Sequence, residues 1–218
     1  MKKLVSILLA ILIGVLVGFI IDDIFFKSKP AHKNKTYLSV ANDAQPKKVI
    51  AIMPFGYVNV EYIKHIQTTI KEFYGYETKV LPEVKPMNDI LSSSKRYYDA
   101  DKILDKYHNT NYLLILTNHN ISYKSDKYPE LEIFGLGVIG GKSCIVSTFQ
   151  LEGGVSYNRF IDRLNKVVLH ELGHNFGLRH CKNDSHCLMT NTKGTLEELD
   201  GEEFKFCDKC KTKLSMYN

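Results

Sequence analysis

His170-Glu171-Leu172-Gly173-His174-Asn175-Phe176-Gly177-Leu178-Arg179-His180 is the stretch on which the reading of this chain turns. Two histidines four residues apart on a helix lie one turn from each other, about 40° apart around the axis. Both imidazoles then face one side and can share a metal ion. Glu171 stands beside them without being needed as a ligand, so its carboxylate is free to take a proton from a water on that metal. Gly177 tolerates positive φ, which ends the helix in a sharp turn and lets His180 come back as a third ligand. Three imidazoles leave a fourth tetrahedral position for water, the open arrangement of a catalytic zinc. Read instead as surface histidines of an amphipathic helix, His170 and His174 would leave the spacing of Gly177 and His180 unaccounted for. Met189 follows nine residues after His180, where a turn would put it under the site as a floor.

Outward from the motif, residues 159–176 read as one helix, with Ile161, Leu164, Val168 and Leu172 in a narrow arc facing the core and the histidines nearly opposite. Upstream the chain alternates. Val49-Ile50-Ala51-Ile52-Met53-Pro54 reads as a buried strand, Val60 to Tyr74 as a helix and Lys79-Val80-Leu81 as a short strand. Residues 99–107 read as a helix and Tyr112-Leu113-Leu114-Ile115-Leu116-Thr117 as a second continuous apolar strand. This β-α-β-α-β order predicts a largely parallel sheet flanked by helices. Residues 134–147, with Gly140-Gly141 in the middle, read as a hairpin or paired edge strands. Residues 141–150, apolar and β-branched just before the active helix, are the expected exposed strand along which an extended peptide would lie.

Cysteine placement adds a second constellation. Cys181 follows His180 directly, Cys187 precedes Leu188-Met189, and Cys207-Asp208-Lys209-Cys210 closes the set. Two thiol pairs about twenty residues apart match a four-thiolate structural zinc site. Disulfides are the competing reading, with three pairings available to four thiols. Cys144, inside an apolar strand, reads as a buried and inert thiol.

H-E-x-x-H-x-x-G-x-x-H is the pattern of the metzincins, and with the following cysteines the chain resembles the archaemetzincins. Cys directly after the third His, then C-x-M, seventeen residues and C-x-x-C are matched by Cys181, Cys187-Leu188-Met189 and Cys207 to Cys210. One departure is the five residues 182–186 between Cys181 and Cys187, where four are expected, which makes His186 a possible substitute ligand. Weaker likeness at Thr117-Asn118, Phe134-Gly135-Leu136-Gly137 and Cys144-Ile145-Val146-Ser147 extends the resemblance to residues 48–213. It implies a zinc metallopeptidase with two zinc ions, catalytic at His170, His174 and His180 and structural at Cys181, Cys187, Cys207 and Cys210. No Tyr stands two residues after Met189, so the protein group that would stabilise the oxyanion is not identified from sequence.

Length allows one core and a small appendix, and 44% hydrophobic with 24% charged residues is ordinary for a globular body. The net charge of +5 comes from lysines scattered along the chain, without the clustering a nucleic-acid footprint requires. The start differs. Residues 4–21 are eighteen positions whose only polar side chain is Ser6, a helix of roughly 27 Å against a hydrocarbon core of ~30 Å. Lys2 and Lys3 precede this run, and no small-x-small cleavage site follows it, which favours an uncleaved anchor over a signal peptide.

The expected organisation is therefore a transmembrane anchor at 1–26, a polar Lys-rich stalk at 27–47 and a catalytic domain at 48–218. Its fold class is α/β: a metzincin-like (zincin) domain with a mixed sheet, an active-site helix and a small zinc-stapled C-terminal part. The catalytic domain is expected outside the cytoplasm, although Lys27, Lys29, Lys33 and Lys35 weigh the other way. The function expected is peptide-bond hydrolysis on peptide or protein substrates, with a zinc-activated water and Glu171 as general base. The alternative is a membrane-tethered zinc-binding module without catalysis, against which the retained Glu171 counts. A nucleic-acid-binding zinc module has only the basic balance in its favour.

Overall fold

A computed structural model describes residues 49–108, 111–125, 128–192 and 194–216. The expected anchor (1–26) and stalk (27–47) lie outside the described residues. Among the described residues, no helix is long and apolar enough to cross a membrane.

The body opens with β1 (Val49–Phe55), α1 (Val60–Tyr74) and β2 (Glu77–Val80), a parallel β-α-β unit. Asn59 caps α1 by accepting from the Glu61 N–H, and the helix buries Ile63, Ile66 and Ile70 at the i, i+3, i+7 spacing read from sequence. There follow β3 (Tyr98–Asp99), α2 (Ala100–Lys106), β4 (Tyr112–Thr117), β5 (Ile121–Tyr123), β6 (Leu131–Ile133), β7 (Gly135–Gly137) and β8 (Ser143–Ser147). The C-terminal half holds α3 (Tyr157–Asn175), α4 (Leu196–Gly201) and α5 (Asp208–Ser215).

The main sheet has the order β2-β1-β4-β8-β7, with the first four strands parallel and β7 antiparallel at the end. The expected mixed sheet is present. Continuous apolar runs in β1 and β4 are explained by burial on both faces. Ile50, Ile52, Leu114, Leu116, Cys144 and Val146 pack against α1 and α3. Their alternate neighbours Ala51, Met53, Leu113, Ile115 and Ile145 pack against α2 and residues of a second, three-stranded sheet, β3-β5-β6. Each such Val, Leu, Ile or Met side chain stabilises by about 1.5–3 kcal/mol when fully buried, before chain entropy is set against it.

One expectation is corrected here. Residues 141–150 do not form the exposed edge: β8 lies between β4 and β7, and all five of its residues are buried. A run that is apolar on both faces belongs inside a parallel array, while the edge falls to the Gly-Leu-Gly segment just before it. Proline at Val146 would therefore disrupt an interior ladder instead of testing substrate contact.

Candidate active site and metal centres

Ser156 caps α3 by accepting from the Arg159 N–H, so the helix starts two residues before the expected position. Its core stripe is Leu164, Val168 and Leu172, each fully buried, with Ile161 packed at the margin. At the other end, Gly177 adopts φ 86°. Its N–H donates to the His174 carbonyl, and the Leu178 N–H donates to that of Gly173, both at 2.9 Å. This pair of bonds is the Schellman stop, which closes the helix and redirects the chain toward His180.

The turn brings the three histidines together. Ring centroids of His170, His174 and His180 lie 4.7, 4.9 and 5.3 Å apart, and one nitrogen from each falls within 4.8 Å of the others. His170 Nδ1 lies 2.8 Å from the Leu188 carbonyl and His174 Nδ1 2.8 Å from that of Leu178. A carbonyl only accepts, so each Nδ1 carries the proton and each Nε2 keeps its lone pair, the form that ligates a metal. Burial, together with the neighbouring His174 and His180, pushes the His170 pKa well below its ordinary value. Burial and His180 bring His174 down to about 3. Neutral imidazoles converging this closely fit a divalent metal such as zinc.

Glu171 is 8% exposed and turns toward the sheet. Burial raises its pKa to about 8, against the lowering effect of a hydrogen bond from the Gly137 N–H. β7 presses directly on this carboxyl. A Cβ on Gly135 would sit 2.7 Å from Glu171 Cγ, and one on Gly137 would sit 2.5 Å from the Glu171 carbonyl oxygen. Only glycine lets the strand approach the helix so closely. Ser147 donates its N–H to Phe134 O and Val138 donates to Ser143 O. Residues 134, 136 and 138 thus face β8, and by the alternation of antiparallel ladders Gly135 and Gly137 turn their backbone groups to the open edge. Asn175 locks the hairpin in place, donating to the carbonyls of Val138 and Ser143 at 3.0 and 2.8 Å.

Met189 is fully buried, and a Cβ on Gly173 would come 2.6 Å from its sulfur, so it forms the floor expected for it. Its carbonyl accepts from the Cys181 N–H at 2.7 Å, joining the floor to the second cluster.

The sulfurs of Cys181, Cys187, Cys207 and Cys210 lie within 4.8 Å of one another, Cys181 and Cys207 at 3.6 Å, and none is in a disulfide. Tetrahedral coordination at a Zn–S distance of ~2.3 Å separates sulfurs by roughly 3.8 Å, which these thiols approach. Burial pushes Cys187 up to about 11 and raises Cys210 as well. At Cys207 burial acts the same way, but hydrogen bonds from the Cys210 backbone and the other thiols outweigh it and lower the pKa. Four thiols so placed ionise together only around a cation. His186 is outside the cluster: its side chain is 61% exposed and faces Ser185 and Asp184. The longer spacing from Cys181 to Cys187 is taken up by a turn in which Asp184 O accepts from the Cys187 N–H and Thr190 Oγ1.

Sequence reasoning gave no role to the two glycines of β7 or to Asn175, and missed the Leu178 and Leu188 carbonyls. Gly-Leu-Gly and the Asn after His174 were visible signals. Carbonyl partners have none.

The model of peptidase family M54 matches residues 57–216. The archaemetzincin of Halobacterium salinarum is 31% identical over 173 residues, spanning 74% of this chain and 96% of that protein. That of Archaeoglobus fulgidus is 27% identical over 165 residues, spanning 76% and 98%. The A. fulgidus archaemetzincin crystal structure, complexed with malonate, superposes with a TM-score of 0.66 at 24% identity, over 76% of this chain and 99% of that one. The Methanopyrus kandleri structure gives 0.67 at 23% identity, over 81% and 98%.

Proposed function

Because this chain belongs to peptidase family M54, the archaemetzincins, and is a zinc metallopeptidase, we propose that it cleaves peptide bonds with Glu171 as the proton carrier. The observation that carries this reading is the convergence of three imidazoles at the helix that also carries Glu171, whose carboxyl lies against Gly135 and Gly137 of β7.

His170, His174 and His180 would hold the catalytic zinc, and Cys181, Cys187, Cys207 and Cys210 a second, structural one. Bound at the imidazoles, zinc supplies Lewis-acid chemistry, polarising the scissile carbonyl and acidifying a water. The chain's own groups do the rest. The backbone groups of Gly135 and the carbonyl of Gly137, turned away from β8, hold an extended peptide by β-addition, which fixes its carbonyl without reading its side chains. Glu171 takes the proton of the attacking water on its carboxylate and delivers it to the departing amine. A cation held at the imidazoles would favour the ionised carboxylate, against the burial that raises the Glu171 pKa to about 8. Carbonyl bonds at Nδ1 keep His170 and His174 in the ligating tautomer throughout.

The apolar run at residues 4–21 supports a single membrane anchor, and Lys2 and Lys3 before it a catalytic body outside the cytoplasm, with Lys27, Lys29, Lys33 and Lys35 weighing the other way. Cleavage of a peptide library by the purified protein, with and without a chelator, tests the catalytic reading. Chelator-sensitive cleavage is expected. A zinc-loaded protein that cleaves no peptide would overturn it.

A further inference from the structure

We propose that Asn175 is a positioning residue for the peptidase reaction: its amide fixes the peptide-holding strand β7 in register with the helix that carries His170 and His174. This rests on the peptidase reading above and names the residue that holds strand and metal site at a set distance.

Asn175 follows Glu171 by one helical turn, so the two side chains leave α3 on the same face, toward β7. Glu171 meets the strand through the Gly137 N–H. A carboxyl group that takes up and gives away a proton alternates between acceptor and donor, so it cannot be the fixed anchor of that strand. Asn175 does not ionise. Its Nδ2 donates to the carbonyls of Val138 and Ser143 at 3.0 and 2.8 Å, which uses both amide hydrogens. Those carbonyls stand on either side of the turn that joins β7 to β8, where the ladder is stretched: the Val138 N–H reaches Ser143 O at 3.4 Å. The Gly140 N–H adds a bond of 2.9 Å to the His174 carbonyl. The end of the hairpin is thus tied to two neighbouring residues of the active helix.

Stability alone does not account for this amide. Asn175 is 2% exposed, and its Oδ1 is buried without a donor among the described residues. An apolar side chain of the same size would carry no such unsatisfied acceptor. Nor do the two carbonyls depend on Asn175 for a partner, since Val138 O also accepts from the Gly141 N–H and Ser143 O from that of Val138. What the amide adds is a directional link between strand and helix.

The test compares the zinc-loaded full chain as wild type, Asn175→Leu and Asn175→Ala, the last of which cannot overpack. Calorimetry measures the binding of acetohydroxamate, which reaches only the metal site, and of a hydroxamate built on a cleaved peptide, which also pairs with β7. Both variants should bind acetohydroxamate as wild type does and the peptidyl hydroxamate about tenfold more weakly, the scale of a misplacement well below 1 Å. Each Kd belongs to the folded molecules, so a role in stability alone would move neither. Unchanged peptidyl binding in a folded variant, equal weakening of both ligands, or failure of both variants to fold overturns the positioning role and leaves the peptidase reading intact. If wild type cleaves no peptide, the peptidase reading fails and the positioning role with it.

Discussion

Gly137→Ala places a methyl group where the structure has no room. Its Cβ would lie 2.5 Å from the Glu171 carbonyl oxygen and 3.0 Å from both Glu171 Oε2 and His174 Cβ. Unstrained carbon–oxygen contacts are about 3.3 Å, so β7 and α3 must part by roughly 0.8 Å. The obstructing atom is helix backbone and cannot swing aside as a side chain would. Overpacking of this kind costs about 1–3 kcal/mol of stability. The separation also moves the substrate-holding edge relative to Glu171 and the imidazoles, and a shift near 1 Å lowers turnover about 10²-fold, or ~2.7 kcal/mol in the barrier. The variant should keep its zinc, since no ligand is altered, and show kcat/KM reduced about a hundredfold in a peptide cleavage assay, with a modestly lower urea midpoint. Gly201→Ala is the control: a Cβ there meets nothing within 4 Å, and activity should be unchanged. Cleavage by Gly137→Ala within twofold of wild type would refute the argument that β7 must touch the active helix.

Glu202 is 5% exposed, and neither of its carboxylate oxygens has a hydrogen-bond partner; burial raises its pKa to about 8, Lys166 opposing. A raised folded pKa means its favourable contribution is complete below about pH 4.5 and is lost as pH rises through about 8. Relative to Glu202→Gln, wild type should therefore lose stability steadily from pH 5 to 8.5 in urea titrations; a pH-independent difference would contradict this. Two zinc ions of unequal lability are expected, the three-imidazole site yielding first to a chelator and the thiolate site persisting. Cys187→Ser should remove one zinc equivalent and raise hydrogen exchange across residues 181–216. One zinc with four thiols resistant to alkylation until reduced would point to disulfides.

Much of this was legible because it is written in local spacing. The bounds of α1 and β4 follow from apolar periodicity and flanking turn residues, and the two ligand clusters from His and Cys intervals. What escaped depended on long-range pairing. β3, β5 and β6 are two or three residues each, too short for alternation to register, and are set by tertiary contact. β8 was assigned to the edge because it adjoins the active helix in sequence, but β7 pairs back on it and takes that place. Gly135 and Gly137 stand in the sequence only as part of a hairpin and a family-like segment; their purpose is the approach of Glu171, visible only once helix and strand are packed.

Glu171→Ala measured beside wild type, for zinc content and peptide cleavage together, tests the central claim most directly. Glu171 is a proton carrier in this account and not a ligand, so both proteins should hold two zinc ions and only wild type should turn over substrate. Wild-type cleavage by Glu171→Ala would contradict the mechanism, and loss of a zinc ion in that variant would contradict the assignment of the ligands.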